Sequence, residues 1–225
     1  PPRLLYPMES IYFRRGFTLI ELMVVLAIIA VVMSIVFASQ SSFNKSIILS
    51  NTAYDIALTL RSSETYGLSS RGAGSISNAG YGVHFSKGNS NSFILFADTS
   101  PNPNDSNCHG LPIGGSGAPD AQYGDCVYTA SQDQKVNEYE LGNNITISDF
   151  CAKQGSSWSC AYANGGSLSS LDIGFARPNP DAFISENGLY SKLLPRTEAC
   201  LSIASPYDNM KRYISVAASG AIMAN

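Results

Sequence analysis

Hydrophobic and polar positions divide this chain into three stretches of different texture. From Phe17 to Ala38 the residues are apolar almost without break; Thr18, Glu21 and Ser34 are the exceptions. Beyond Ser39 the pattern becomes amphipathic. Leu49, Ala53, Ile56, Ala57 and Leu60 recur at intervals of three and four, which places them on one helical face. Asn44, Asn51, Asp55, Arg61 and Glu64 fall largely elsewhere. Neither Gly nor Pro occurs between Phe17 and Tyr66, so both stretches read as one continuous helix, ended by Gly67 and the "SSRGAGS" run at 69–75.

After residue 70 the texture changes again. Short apolar or β-branched runs are bounded by Gly, Asn, Asp and Pro, which is the pattern of strands and turns. The candidate strands are 81–86, 92–97, 144–148, 171–176, 199–203 and 212–217. No helical pattern separates them, so they predict an antiparallel sheet whose apolar face covers the amphipathic half of the helix.

The apolar run is long enough to cross a bilayer. Residues 17–38 span about 33 Å as a helix, against a hydrocarbon core of about 30 Å. Arg3, Arg14 and Arg15 precede it with a single acid, Glu9. A basic flank of this kind stays in the cytoplasm while the far side is exported. A plain membrane anchor, a secretory signal peptide cut near Val36–Ala38, and a signal cut ahead of the apolar run all fit this outline. The signal-peptide reading suffers on length, since its apolar region is normally about 7–15 residues. The first two readings also leave Glu21 unexplained. A carboxylate within a membrane segment costs about 2.5–3.5 kcal/mol near its centre and less near the interface, and it usually has a partner.

The segment "RRGFTLIELMVVLAII" closely resembles the signal of type IV pilins and type II secretion pseudopilins. The resemblance covers roughly residues 14–38. It implies cleavage by a prepilin peptidase after Gly16, N-methylation of the newly exposed Phe17, and an assembly role for Glu21. Cleavage would create a positive amine at Phe17. In a filament built from packed apolar helices, Glu21 would pair with that amine on a neighbouring subunit, because buried charges are tolerated when paired. The stretches "GVHFS", "FILFADTSPNPND", "LDIGFARP" and "ACLSIASPYDNMKRYISVAASGAIM" resemble the GspH/FimT-like minor pilins and pseudopilins. Many pilins carry a proline near the end of the apolar half; this chain has none around Ala38, so no proline-driven break is expected.

The resemblance implies an α+β, pilin-like fold, its long N-terminal helix packed on an antiparallel sheet. The expected organisation is a leader at 1–16, a transmembrane half-helix at 17–38, an amphipathic half-helix at 39–70 and a β-rich domain at 71–225. Expected partners are other pilin or pseudopilin subunits, the prepilin peptidase, an inner-membrane assembly platform and membrane lipid. The expected location is the inner membrane, single-pass, with the C-terminal domain exported and later carried in a filament. A DNA-binding minor pilin for DNA uptake, or a membrane-tethered adhesin that never polymerises, is the alternative.

Five cysteines lie after the helix, in the part expected to be exported, where disulfides persist. Local pairing gives Cys108–Cys126 and Cys151–Cys160, with Cys200 left as a free thiol; other connectivities remain open. The loop "DTSPNPNDSN" offers Asp98 and Asp105, with Asn102 and Asn104, as oxygen ligands of the kind calcium takes. The same residues are ordinary turn formers, so a plain surface loop is the competing reading, and no other cofactor is expected.

Composition narrows the function further. Formal net charge is −3, and loss of residues 1–16 would remove three arginines and one glutamate. The chain that remains is more acidic, which argues against nucleic acid as a partner, although some FimT-like pilins bind DNA. The two histidines, His84 and His109, form no recognisable catalytic motif, and no phosphate-binding glycine loop or nucleophile elbow is present. A non-enzymatic protein is expected.

Overall fold

The computed structural model describes residues 16–225 apart from 70, 75, 77–78, 101–123, 178–179, 192 and 207–209. The leader up to Arg15, Asn102, Asn104, Asp105, Cys108 and His109 therefore lie outside the described residues. The chain divides into two compact units, one ending at Phe43 and the other Asn44–Asn225.

A single helix, α1 (Leu19–Leu68), crosses that division. In the first unit its surface is apolar and unburied: every side chain from Phe17 through Phe37 is exposed. The stretch Leu19–Phe37 is long and apolar enough to cross a membrane. Its lone interior hydroxyl, Ser34, donates back to the Ala30 carbonyl at 2.8 Å. That bond satisfies the polar group inside the helix itself.

In the second unit α1 is amphipathic, as its spacing predicts. Leu49, Ala53, Ile56, Ala57 and Leu60 are buried. Arg212 donates to Ser50 at 3.0 Å and to Ser46 at 3.2 Å, and Arg61 donates to the Ile222 carbonyl at 3.1 Å. These long side chains fasten the helix to the C-terminal strands. Gly67 falls in the last turn. A Cβ there would come within 2.1 Å of the Phe175 carbonyl oxygen. Its glycine therefore answers a close approach of two backbones, and the helix continues to Leu68.

Ten strands follow among the described residues: β1 (Gly80–Ser86), β2 (Asn89–Asp98), β3 (Gln134–Glu140), β4 (Thr146–Gln154), β5 (Ser157–Cys160), β6 (Ser170–Phe175), β7 (Ala182–Glu186), β8 (Glu198–Ala204), β9 (Lys211–Ala217) and β10 (Ile222–Ala224). They form two five-stranded sheets, ordered β3-β2-β1-β6-β7 and β10-β9-β8-β4-β5. Every strand pairing within them is antiparallel. The architecture is α+β and pilin-like, with two sheets where the sequence pattern suggested one. One hydrophobic core joins the buried face of α1 to Val83, Phe85, Leu95 and Ile173 of the first sheet and to Phe150, Leu201, Ile214 and Val216 of the second.

From Gly124 onward, the chain leading to β3 lies along the outer face of the first sheet. Three carboxylates pin this segment. Asp98 accepts the N–H groups of Asp125 and Cys126, at 3.2 and 2.7 Å. Asp133 accepts those of Thr99, Ser100 and Thr129. Asp172 accepts that of Tyr128 at 3.2 Å. Cys126 is disulfide-bonded, and a second disulfide joins Cys151 to Cys160.

Candidate assembly and processing site

The N-terminus of α1 is built by four residues. Gly16 to Thr18 precede the helix without regular structure. Thr18 stands at the N-cap and Glu21 at the third helical position. The Thr18 hydroxyl accepts the Glu21 N–H at 3.3 Å, and the Glu21 carboxylate accepts the Thr18 N–H at 2.9 Å and its hydroxyl at 2.8 Å. This is a capping box: two otherwise orphaned N–H groups are satisfied reciprocally. The first helical bond, Leu22 N–H to the Thr18 carbonyl at 3.2 Å, follows directly. The sequence carries a signal for this cap, since Thr-x-x-Glu ahead of an apolar run is the capping-box pattern.

The cap defines where Glu21 sits. Its carboxylate is held back along the helix toward Phe17, at the end where the helix dipole favours negative charge. Phe17 is 84% exposed, and a Cβ on Gly16 would meet no atom within 4 Å. The peptide bond between them lies outside the helix and open to approach. A site of this shape presents an exposed backbone without regular structure, an apolar rod and one carboxylate near the start of that rod.

The other sequence candidates fall elsewhere. Asp98 is buried, and its carboxylate lies with those of Asp125 and Asp133 within 4.8 Å of one another. Burial, together with the charges of Asp133 and Asp125, pushes Asp98 well above the ordinary carboxylate range. Both Asp98 oxygens accept backbone N–H groups, so this side chain fixes the segment after Gly124. His84 is bonded through Nδ1 to Asp172 Oδ1 at 2.6 Å, beneath the Tyr128 ring. The register sets His84, Asp172 and Ser185 side by side on β1, β6 and β7. The carboxylate occupies the middle position, and the Ser185 hydroxyl donates to the Cys126 carbonyl at 2.7 Å. A serine–histidine relay needs the ring between the other two, so this row is a structural brace.

Comparison with known proteins agrees with the N-terminal geometry. Residues 13–37 match the model of the prokaryotic N-terminal methylation motif. No curated protein and no solved structure matches the chain. The matched segment ends at Phe37, the last residue of the apolar span, and contains Gly16, Phe17, Thr18 and Glu21. It gives the chain a type IV pilin-like N-terminal signal.

Proposed function

We propose that this chain is a structural subunit, a minor pilin or pseudopilin of the GspH/FimT-like kind, of a type IV pilus or type II secretion pseudopilus. The observation that carries the reading is the methylation motif at residues 13–37 set on an apolar, wholly exposed half-helix. A prepilin peptidase cuts after Gly16, and the exposed amine of Phe17 is methylated. The anchored chain waits in the inner membrane with its β-rich domain exported. An assembly platform then moves it into a filament of like subunits.

Glu21 acts at that last step. In the lone chain its carboxylate is occupied by Thr18. In the filament it meets the Phe17 amine of a neighbour, and any stagger that misses the pair leaves two charges unmatched in apolar surroundings. Register follows from that penalty, about 3–5 kcal/mol for a buried charge without its partner. The chemistry of the chain is assembly rather than turnover, and its partners are other subunits, the peptidase, the platform and lipid.

The test is fractionation of a cell that makes the matching filament. Sheared filaments should contain the wild-type chain, whereas Glu21→Ala should remain in the inner membrane, inserted and processed. Incorporation of Glu21→Ala at the wild-type level would refute the pairing role.

A further inference from the structure

The second sheet brings three cysteines into one cross-strand row. Cys151 on β4 lies directly opposite Cys160 on β5 and directly opposite Cys200 on β8. Directly opposed residues of antiparallel strands project to the same face. The flanking residues Phe150, Ala152, Ala199 and Leu201 are buried in the core, so the row lies on the face turned away from it. Cys151 and Cys160 are bonded, and Cys200 is a free thiol.

Strand geometry sets the distances. Phe150 turns its carbonyl to β5, where it accepts the Ala161 N–H at 2.9 Å. Cys151 and Cys160 are therefore a non-hydrogen-bonded pair, with Cα atoms 4.0 Å apart. Alternation turns the polar backbone of Cys151 toward β8, which makes Cys151 and Cys200 a hydrogen-bonded pair, with Cα atoms about 5.5 Å apart. That separation lies inside the range a disulfide spans.

The order of the row suits a displacement at sulfur. Cys151 is in the middle, Cys160 on one side and Cys200 on the other; the Cys200 thiol donates to the Leu201 carbonyl at 4.0 Å, and once turned toward Cys151 its thiolate approaches the bonded sulfur from the side opposite the leaving one. The leaving side is also prepared, because the Asn164 amide donates to Cys160 Sγ at 3.8 Å. A donor there stabilises the negative charge that builds on Cys160 as its bond breaks.

We propose that Cys200 is the resolving thiol of an intramolecular disulfide switch. The Cys200 thiol gives its proton to solvent. Its sulfur attacks Cys151 Sγ, the Cys151–Cys200 bond forms and the Cys151–Cys160 bond breaks. Cys160 leaves as a thiolate and takes a proton from solvent. One disulfide and one thiol stand on each side of the reaction, so neither oxidant nor reductant is consumed.

The switch moves the covalent link from a hairpin to the pair β4–β8. Edge strand β5 is then held to β4 by backbone pairing alone, and an edge released this way is a template for a strand of another chain. Burial, with the charges of Glu198 and Asp149, pushes the Cys200 thiol up. Little thiolate forms at neutral pH, so the resting Cys151–Cys160 bond persists and exchange accelerates as pH rises. None of this depends on filament assembly.

The experiment uses the full chain in detergent. The wild type is held at pH 7 and at pH 9 without added oxidant, quenched in acid, alkylated, and mapped by mass spectrometry of the non-reduced digest. The Cys151–Cys200 peptide and alkylated Cys160 should appear at least about tenfold faster at pH 9, and Cys200→Ala should show neither. In parallel, Cys160→Ala exposed to oxidised glutathione should close a Cys151–Cys200 bond while its circular dichroism stays that of the wild type. The proposal requires both results. It is overturned if wild type retains only Cys151–Cys160 after a day at pH 9, or if folded Cys160→Ala keeps two alkylatable thiols or glutathione adducts.

Discussion

The Glu21 carboxylate accepts hydrogen bonds from both the backbone N–H and the hydroxyl of Thr18. One side chain therefore closes the helix N-terminus of the lone chain and, in the proposed filament, neutralises a neighbour. These roles separate by substitution. Glutamine can complete a capping box but carries no charge. Glu21→Gln should thus fail to enter filaments as Glu21→Ala does, with insertion and cleavage intact in both. Thr18→Ala removes the cap at a cost of about 1 kcal/mol and should reduce incorporation only mildly. Immunoblots of sheared filaments and of membranes, compared across the three variants, check the order.

The amphipathic half of α1 predicts two opposite outcomes at neighbouring positions. Ile56 is fully buried, whereas Leu58 is 63% exposed. Ile56→Ala should destabilise the chain by about 2–5 kcal/mol. Leu58→Ala should stay within about 0.5 kcal/mol. Urea unfolding of the detergent-solubilised chain, followed by tyrosine fluorescence, measures both.

Asp172 predicts a pH dependence. It is buried on the outer face of the first sheet, with Oδ1 bonded to His84 and to the Tyr128 N–H and Oδ2 without a hydrogen-bond partner among the described residues. Burial pushes its carboxyl above the ordinary value of 3.8, and the bond to His84 opposes that shift. A raised folded value means that the folded chain binds the proton more tightly. The stabilisation is complete below about pH 4 and is lost as pH rises through the folded value. Asp172→Asn should flatten this part of the stability profile, as read from urea midpoints between pH 4 and pH 8.

The Cys151–Cys160 bond closes a short loop, with a sequence separation of 9 between its ends. Loop-closure entropy assigns such a bond about 2–3 kcal/mol. A Cys151→Ala/Cys160→Ala double variant should lose that much against wild type in the same urea titration.

The strands that the sequence hid share physical causes. β4 was expected to end at Ser148, because its apolar alternation breaks there. A register shift falls between Ile147 and Asp149, so the buried residues step from Ile147 to Phe150 before alternation resumes at Ala152. β3 pairs with β2 through a similar irregularity. Its half-buried Val136 and Tyr139 are three apart in an otherwise exposed edge strand, which erases the period-two signal. β5 and β10 are too short for a pattern. The helix, by contrast, was legible nearly to its last residue, since neither Gly nor Pro interrupts it before Gly67.

The N-terminal motif is a local pattern: Gly16, Phe17, Thr18 and Glu21 fall within a few residues of one another and inside the matched segment. Asp98, Asp133 and Asp172 converge only because the segment after Gly124 lies across the outer sheet face. The cysteine row likewise depends on β8 pairing with β4, about fifty residues away. No spacing in the sequence encodes either arrangement.

The most direct measurement is the mass of the N-terminal peptide of the chain purified from cells that carry a prepilin peptidase. The expected chain begins at Phe17, its amine bearing one methyl group, with residues 1–16 absent. An intact leader, or a chain that begins near Ser39, would contradict it.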